Sequence, residues 1–193
     1  MNIYHILYLF FESFLLNSLP ISIGSSTLLA LPILSIVGIN IYNVVLASII
    51  LGIGSATGKL VTYTIGIFLS KPLRNNKNLL FIKRISNSKK FYMVFFFLNL
   101  LPLVPFDDLL FLSFGIERLS ILKYYLIAIP ARILKSFSEL YVEIFILNKV
   151  SEISHIPLFE LSIISAVIFI IFSIIFFKFD WEKYFSKWTL KEK

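Results

Sequence analysis

Apolar residues in this chain run in long stretches rather than alternating with polar ones. Residues 3–16, 41–69, 91–114, 119–147 and 161–178 are dominated by Leu, Ile, Val and Phe, with few polar residues among them. Such runs predict helices, and the strand alternation that builds a membrane β-barrel is absent. The 3–16 run spans about 21 Å as a helix, short for a crossing. It is expected to lie in the interface or to cross where the membrane is thin, and Asn17-Ser-Leu-Pro20 ends it. Residues 20–38 carry Pro20, Gly24, Ser25-Ser26-Thr27 and Pro32 within apolar sequence. That is too interrupted for one straight span and too apolar for a water loop, so it predicts a re-entrant pair of half-helices. Residues 41–69 form the longest clean run and predict a tilted span. Residues 91–114 are broken by Leu101-Pro-Leu-Val-Pro-Phe-Asp-Asp108. Each proline removes a backbone donor, and each carboxylate at membrane depth costs about 2.5–3.5 kcal/mol. This stretch predicts a second re-entrant turn, lining a cavity. Residues 119–147 predict another long span with a kink at Pro130, 149–160 a short polar connection, and 161–178 a last span.

Composition assigns these runs to a bilayer. The 193 residues are 58% hydrophobic and 15% charged, against about 25% charged in a soluble domain, with a mean hydropathy of +0.89. One compact helical membrane domain over 1–178, with its core at 18–147, and a charged cytoplasmic tail at 179–193 are expected. The N-terminal run is expected to be retained. No Lys or Arg precedes it, Glu12 interrupts it and no A-x-A-like site follows. The absence of Cys excludes disulfides, thiol catalysis and cysteine-bound metal. The formal charge of +7 sets topology rather than binding nucleic acid. Residues 70–92 hold Lys71, Arg74, Lys77, Lys83, Arg84, Lys89 and Lys90 with no acid, so the positive-inside rule puts them in the cytoplasm. If 91–114 enters and returns, Arg118, Lys123 and the lysine-rich tail also fall inside. The expected location is the plasma membrane.

The two halves resemble one another. Each reads as a short apolar helix, a Pro-interrupted segment, Gly-Ile, then a long span studded with polar residues. Gly38-Ile39 precedes the first span and Gly115-Ile116 the second, with Lys59 and Lys135 at matching depth. The expected fold is an all-α polytopic membrane protein. It has about three to four transmembrane helices and an inverted repeat with two opposed re-entrant hairpins, the design of many secondary transporters. The competing reading is that any two apolar halves look alike at this level.

Polar residues inside the spans are the candidate chemistry. Gly52, Ser55, Lys59, Thr62, Tyr63 and Gly66 recur at helical spacing and make one small, polar stripe. Gly54 and Gly58 form a GxxxG, which permits close helix contact. Lys59 lies too deep to snorkel and requires a polar partner or water. In the second span Arg132, Ser136, Glu139 and Glu143 share a face, and Lys135 stands where it could pair with Glu139. These charges make either a structural network or a polar cavity for a charged headgroup or protons. Asp107-Asp108 lacks the further carboxylates of a prenyltransferase metal motif. His5 and His155 are far apart, no serine sits in a nucleophile elbow, and no Gly-rich phosphate loop occurs. No enzyme, metal or cofactor is expected.

Two stretches resemble the DedA family, also called SNARE-associated or VTT-domain proteins. Gly54-Ser-Ala-Thr-Gly58-Lys59-Leu-Val-Thr-Tyr63-Thr-Ile-Gly66 is similar to its G-x-x-x-G-x-x-x-x-Y-x-x-G signature. Pro102-Leu-Val-Pro105-Phe-Asp107-Asp108, then Gly115 and Arg132, is similar to its P-x-P-x-D-D…G pattern with a later basic residue. Together they frame residues 18–143. The chain departs from the family in having no acid after Pro20, with Glu12 eight residues earlier, and in having Ala131 where a glycine is usual. The resemblance implies a lipid scramblase or flippase for a phospholipid or polyprenyl-phosphate carrier, with or without proton coupling. Its functional charges would be Asp107, Asp108 and Arg132, with Lys59 as a partner, supported by Lys135, Glu139, Glu143 and Glu12. Membrane lipids, and protons in the coupled case, are the implied partners. An ion-coupled small-solute transporter and a non-transporting scaffold are the alternatives.

Overall fold

The computed structural model describes residues 1–18, 26–73, 82–86, 88–100, 106–161, 163–164 and 167–168, with only the backbone at 72–73 and 106–107. The described residues are helical, with no strand among them. Six helices of ten residues or more run in the order α1 (Ile3–Ser18), α2 (Ser26–Val37), α3 (Ile41–Phe68), α4 (Lys89–Leu100), α5 (Phe106–Ile116) and α6 (Ile121–Ser154).

Local chemistry sets several of these boundaries. At the end of α1, Asn17 Nδ2 donates to Ser13 O at 2.9 Å and Ser18 Oγ to Phe14 O at 2.7 Å. Both are local bonds to the carbonyl four residues earlier, which compete with the helix ladder in its last turn. Gly38, at φ +100, turns the chain out of α2, a left-handed step that glycine makes without steric cost. Asn40 then caps α3, accepting from Asn43 N at 2.9 Å, while Asn43 Nδ2 donates to Gly38 O at 2.8 Å. α3 has 28 residues, about 42 Å of helix, and is the one described helix long and apolar enough to cross a membrane.

α6 continues through Pro130 and has 34 residues. The polar connection expected at 149–160 is helical as far as Ser154. Nothing between Leu147 and Ser154 breaks a helix, and Lys149 Nζ donates to Glu152 Oε2 at 2.8 Å within it. The helix stops at His155, whose φ is 58, two residues before Pro157. Pro32, read as an interruption, lies inside α2, which runs unbroken through it; Pro20, Pro102 and Pro105 lie outside the described residues, as do Arg74, Lys77, most of the 161–178 span and the 179–193 tail.

α3 is the central element. α1 lies along it in parallel, with Ser13 Oγ donating to Leu51 O at 2.8 Å near one end and Thr62 Oγ1 to Ser18 O at 3.3 Å near the other. α5 also runs parallel to α3, whereas α6 runs antiparallel. α4 packs on α6 and α5, and α2 on α6 and α3. Two apolar clusters result. Leu9, Leu31, Leu34, Val44, Leu51 and Leu140 join α1, α2, α3 and α6. Phe91, Phe95, Phe111, Phe114, Tyr124 and Ala128 join α4, α5 and α6. In the second, Phe114 and Tyr124 stack with centroids 4.1 Å apart, and Tyr124 Oη donates to Ser86 O at 2.8 Å.

Candidate functional site

Between the two clusters, α3 and α6 carry polar residues instead of apolar ones. Along α6, Tyr124 and Ala128 belong to one cluster and Leu140 to the other, with Arg132 and Ser136 buried in between. Along α3, Val44 to Leu51 belong to a cluster, and Ser55, Lys59 and Thr62 follow, all buried.

Glycines bring the backbones close here. A Cβ on Gly54 would lie 2.6 Å from Phe10 O, and one on Gly58 2.6 Å from Phe14 O. The GxxxG motif is therefore the seat of α1. On another face, Gly66 and Gly115 approach so closely that a Cβ on either would run into the other helix, at Leu112 O or Tyr63 O. That crossing holds α5 against α3. Tyr63, between these contacts, donates its hydroxyl to Leu119 O at 2.9 Å and ties down the turn between α5 and α6.

The close approach places Asp108, in the first turns of α5, beside Lys59, whose Nζ donates to its Oδ1. Their side chains are 1% and 0% exposed. Two charges this deeply buried are stable only as a pair, because desolvating either alone costs several kcal/mol. One face further round, Arg132 Nη1 donates to Ser55 Oγ and, at 3.1 Å, to Asn17 Oδ1. The guanidinium thus joins α6 to α3 and to the end of α1. The sequence-predicted residues Lys59, Asp108 and Arg132 meet around a single stretch of α3. Asp107 is in the first turn of α5, and its side chain lies outside the described residues.

The supporting residues behave differently. Glu143 Oε1 accepts from Thr27 Oγ1 at 2.8 Å, and Glu139 Oε2 lies 3.5 Å from the same hydroxyl. Both carboxylates therefore face the first turn of α2. The Lys135–Glu139 pair allowed by spacing does not form, because Glu139 is turned toward Thr27, and Lys135 makes no ion pair among the described residues. Glu12 has both carboxylate oxygens covered and no hydrogen-bond partner, so it does not join the Lys59–Asp108 pair. Ser136 is buried one turn beyond Arg132. Asn17 and Thr27 are contributors that sequence reasoning read only as a helix stop and as part of a small polar cluster. Buried Asn99, at the end of α4, was not singled out at all, although an amide in a phenylalanine-rich helix marks it. Among the described residues no three His, Cys, Asp or Glu side chains converge on a metal position.

Two fixed cations, Lys59 on Asp108 and Arg132 on oxygen acceptors that include Ser55 and Asn17, can receive an anionic group by exchange of partners. Comparison with known protein families, with curated proteins and with solved structures finds no match.

Proposed function

We propose that the chain is a polytopic membrane protein that moves phosphate-bearing lipids between leaflets, with Lys59, Asp108 and Arg132 as its working charges. The observation that carries this reading is the burial of those three side chains on elements packed against the one clean membrane-length helix. Ionisable groups inside a membrane domain are costly and are retained where they are paired and used.

The packing pattern supports an inverted repeat. α1 lies on α3 as α4 lies on α6, and α5 lies on α3 as α2 lies on α6. In the register that lays Gly38-Ile39 on Gly115-Ile116, Ser55 falls on Arg132 and Lys59 on Ser136. The Arg132–Ser55 hydrogen bond then joins a residue to its own repeat mate. In a two-fold repeat such a contact falls on the axis, which in an inverted-topology transporter lies at mid-membrane. α4 runs antiparallel to α5, Phe91 meeting Phe114 and Phe95 meeting Phe111, which supports a hairpin in the second half. The resemblance to the DedA family leads to the same reading, with residues 70–92 in the cytoplasm and the plasma membrane as the location.

In this mechanism a lipid phosphate exchanges with Asp108 on Lys59 and with the oxygen acceptors on Arg132. Asp108 recovers Lys59 when the lipid leaves, and with Asp107 it offers proton exchange in a coupled version. The test is reconstitution in liposomes with a headgroup-labelled fluorescent phospholipid and an impermeant quencher. Wild type exposes inner-leaflet label, and Arg132→Ala and Asp108→Asn slow exposure by about tenfold or more. Unchanged rates in both variants overturn the site. Substrate-dependent proton flux without lipid movement identifies a solute transporter instead, and no flux of either kind identifies a scaffold.

A further inference from the structure

The seam between α3 and α5 does not end at the ion pair. It passes the Gly66–Gly115 crossing and opens into a cavity of about 460 Å³ lined by Ser70, Lys71, Lys83, Ile116, Glu117 and Arg118. Ser70 lies eleven residues beyond Lys59, about 16 Å along a helix at 1.5 Å per residue. The cavity is therefore a place separate from the Lys59–Asp108 site.

Its wall carries three cations and one acid. Buried Glu117 accepts from Lys83 Nζ at 3.0 Å, which neutralises that lysine and fixes it. Lys71 and Arg118 are exposed and have no carboxylate partner among the described residues. Arg118 is also held in an unusual way. Its N–H donates to Gly115 O at 3.1 Å, and the N–H of Leu119 donates to Phe114 O at 2.9 Å. This is the helix-ending arrangement that ordinarily has glycine at the position of Arg118, because φ there is left-handed. Here φ is 51, with an arginine in place. Phe68 and Leu69, which immediately precede Ser70 in the chain, are 80% and 41% exposed. A free anion needs the cations alone, whereas an amphiphile with an anionic head uses both surfaces.

We propose that this cavity holds the phosphate of a membrane lipid, bound by Lys71 and Arg118 beside the Lys83–Glu117 pair, with the acyl chains along Phe68 and Leu69. The inference rests on the membrane part of the proposed function and deepens it. A lipid held here is divided from Lys59 by the close Gly66–Gly115 crossing.

The experiment titrates the purified full chain in non-ionic detergent and reads bound ligand by native mass spectrometry. Three probes are used: dioctanoyl phosphatidic acid, dioctanoylglycerol with the same chains, and inorganic phosphate. Phosphatidic acid is expected to bind at least about tenfold more tightly than either of the others. Arg118→Gly and Lys71→Gln are each expected to weaken it about tenfold, and Lys149→Gln, an exposed lysine outside both sites, to leave it within about twofold. Arg118→Gly places the favoured residue at a left-handed position, so the fold survives loss of the guanidinium, and melting curves check both variants. Unchanged affinity in the folded Arg118→Gly and Lys71→Gln proteins overturns the proposal. Equal affinity for inorganic phosphate overturns the lipid source, and an equal loss in Lys149→Gln overturns the site by showing a general surface-charge effect. Absent lipid flux with this binding intact refutes transport alone, and lost binding with flux intact refutes this cavity alone.

Discussion

Breaking the Lys59–Asp108 pair from one side should be far worse than removing it whole. The two side chains are 0% and 1% exposed, so water cannot take over the role of a missing partner. Lys59→Met or Asp108→Leu strands one charge in that setting, at a cost of about 3–5 kcal/mol. The double change leaves no charge and refills the space with apolar atoms of similar bulk. Buried pairs replaced in this way are commonly neutral or more stable by about 1–4 kcal/mol. The expected signature is a coupling energy of several kcal/mol in a double-mutant cycle, with the double variant near or above wild type. Equilibrium unfolding in mixed micelles, followed by circular dichroism, measures all four proteins. The reasoning fails if either single change costs less than about 1 kcal/mol, or if the double change costs the sum of the singles. A flux assay on the same proteins adds a second axis. The double variant is expected to be folded and inert, which separates the pair's work from its contribution to stability.

Three further outcomes follow from the packing. Gly115→Leu drives a side chain into Tyr63 O and should lower stability by about 1–3 kcal/mol or more, read as a drop in melting temperature with loss of the α3–α5 contact. Glu12→Leu removes a carboxyl with covered, unpartnered oxygens and should raise stability by about 1–3 kcal/mol; an unchanged or lower melting temperature would show that the carboxyl is held by something. Thr27→Val deletes the hydroxyl that Glu143 accepts from at 2.8 Å, so a loss of about 1.5–3 kcal/mol is expected in the same melt, the range for a hydrogen bond to a charged group.

The helices that sequence reasoning located best are those bounded by strong punctuation. α1 and α3 match their apolar runs because Asn17-Ser18 closes one, and Gly38 with Asn40 opens the other. α6 runs past its expected end, because a run of mixed polarity reads as a connection although no breaker precedes Pro157. For the site, charge within apolar runs identifies Lys59, Asp108 and Arg132 as groups in need of partners. It could not say which partners, since Lys59 and Asp108 are 49 residues apart and Arg132 and Asn17 are 115 apart. Only the glycine crossings set those registers. The local rule that pairs Lys135 with Glu139 failed for the complementary reason. An i,i+4 spacing permits a contact, but a hydroxyl on α2 competes for the carboxylate.

The separation of Lys59 from Asp108 has a consequence in time. A ribosome adds about 5–20 residues per second, so the 49 residues between them take about 2–10 s to make. On the membrane reading, α3 reaches the bilayer carrying a lysine whose counter-ion has not yet been synthesised. Arg132 arrives under the opposite condition, since Asn17 and Ser55 both precede it in the chain. The first half of the protein must therefore be sheltered, by water at the insertion machinery or by the interface, until α5 is made, whereas the second half closes onto acceptors already waiting for it.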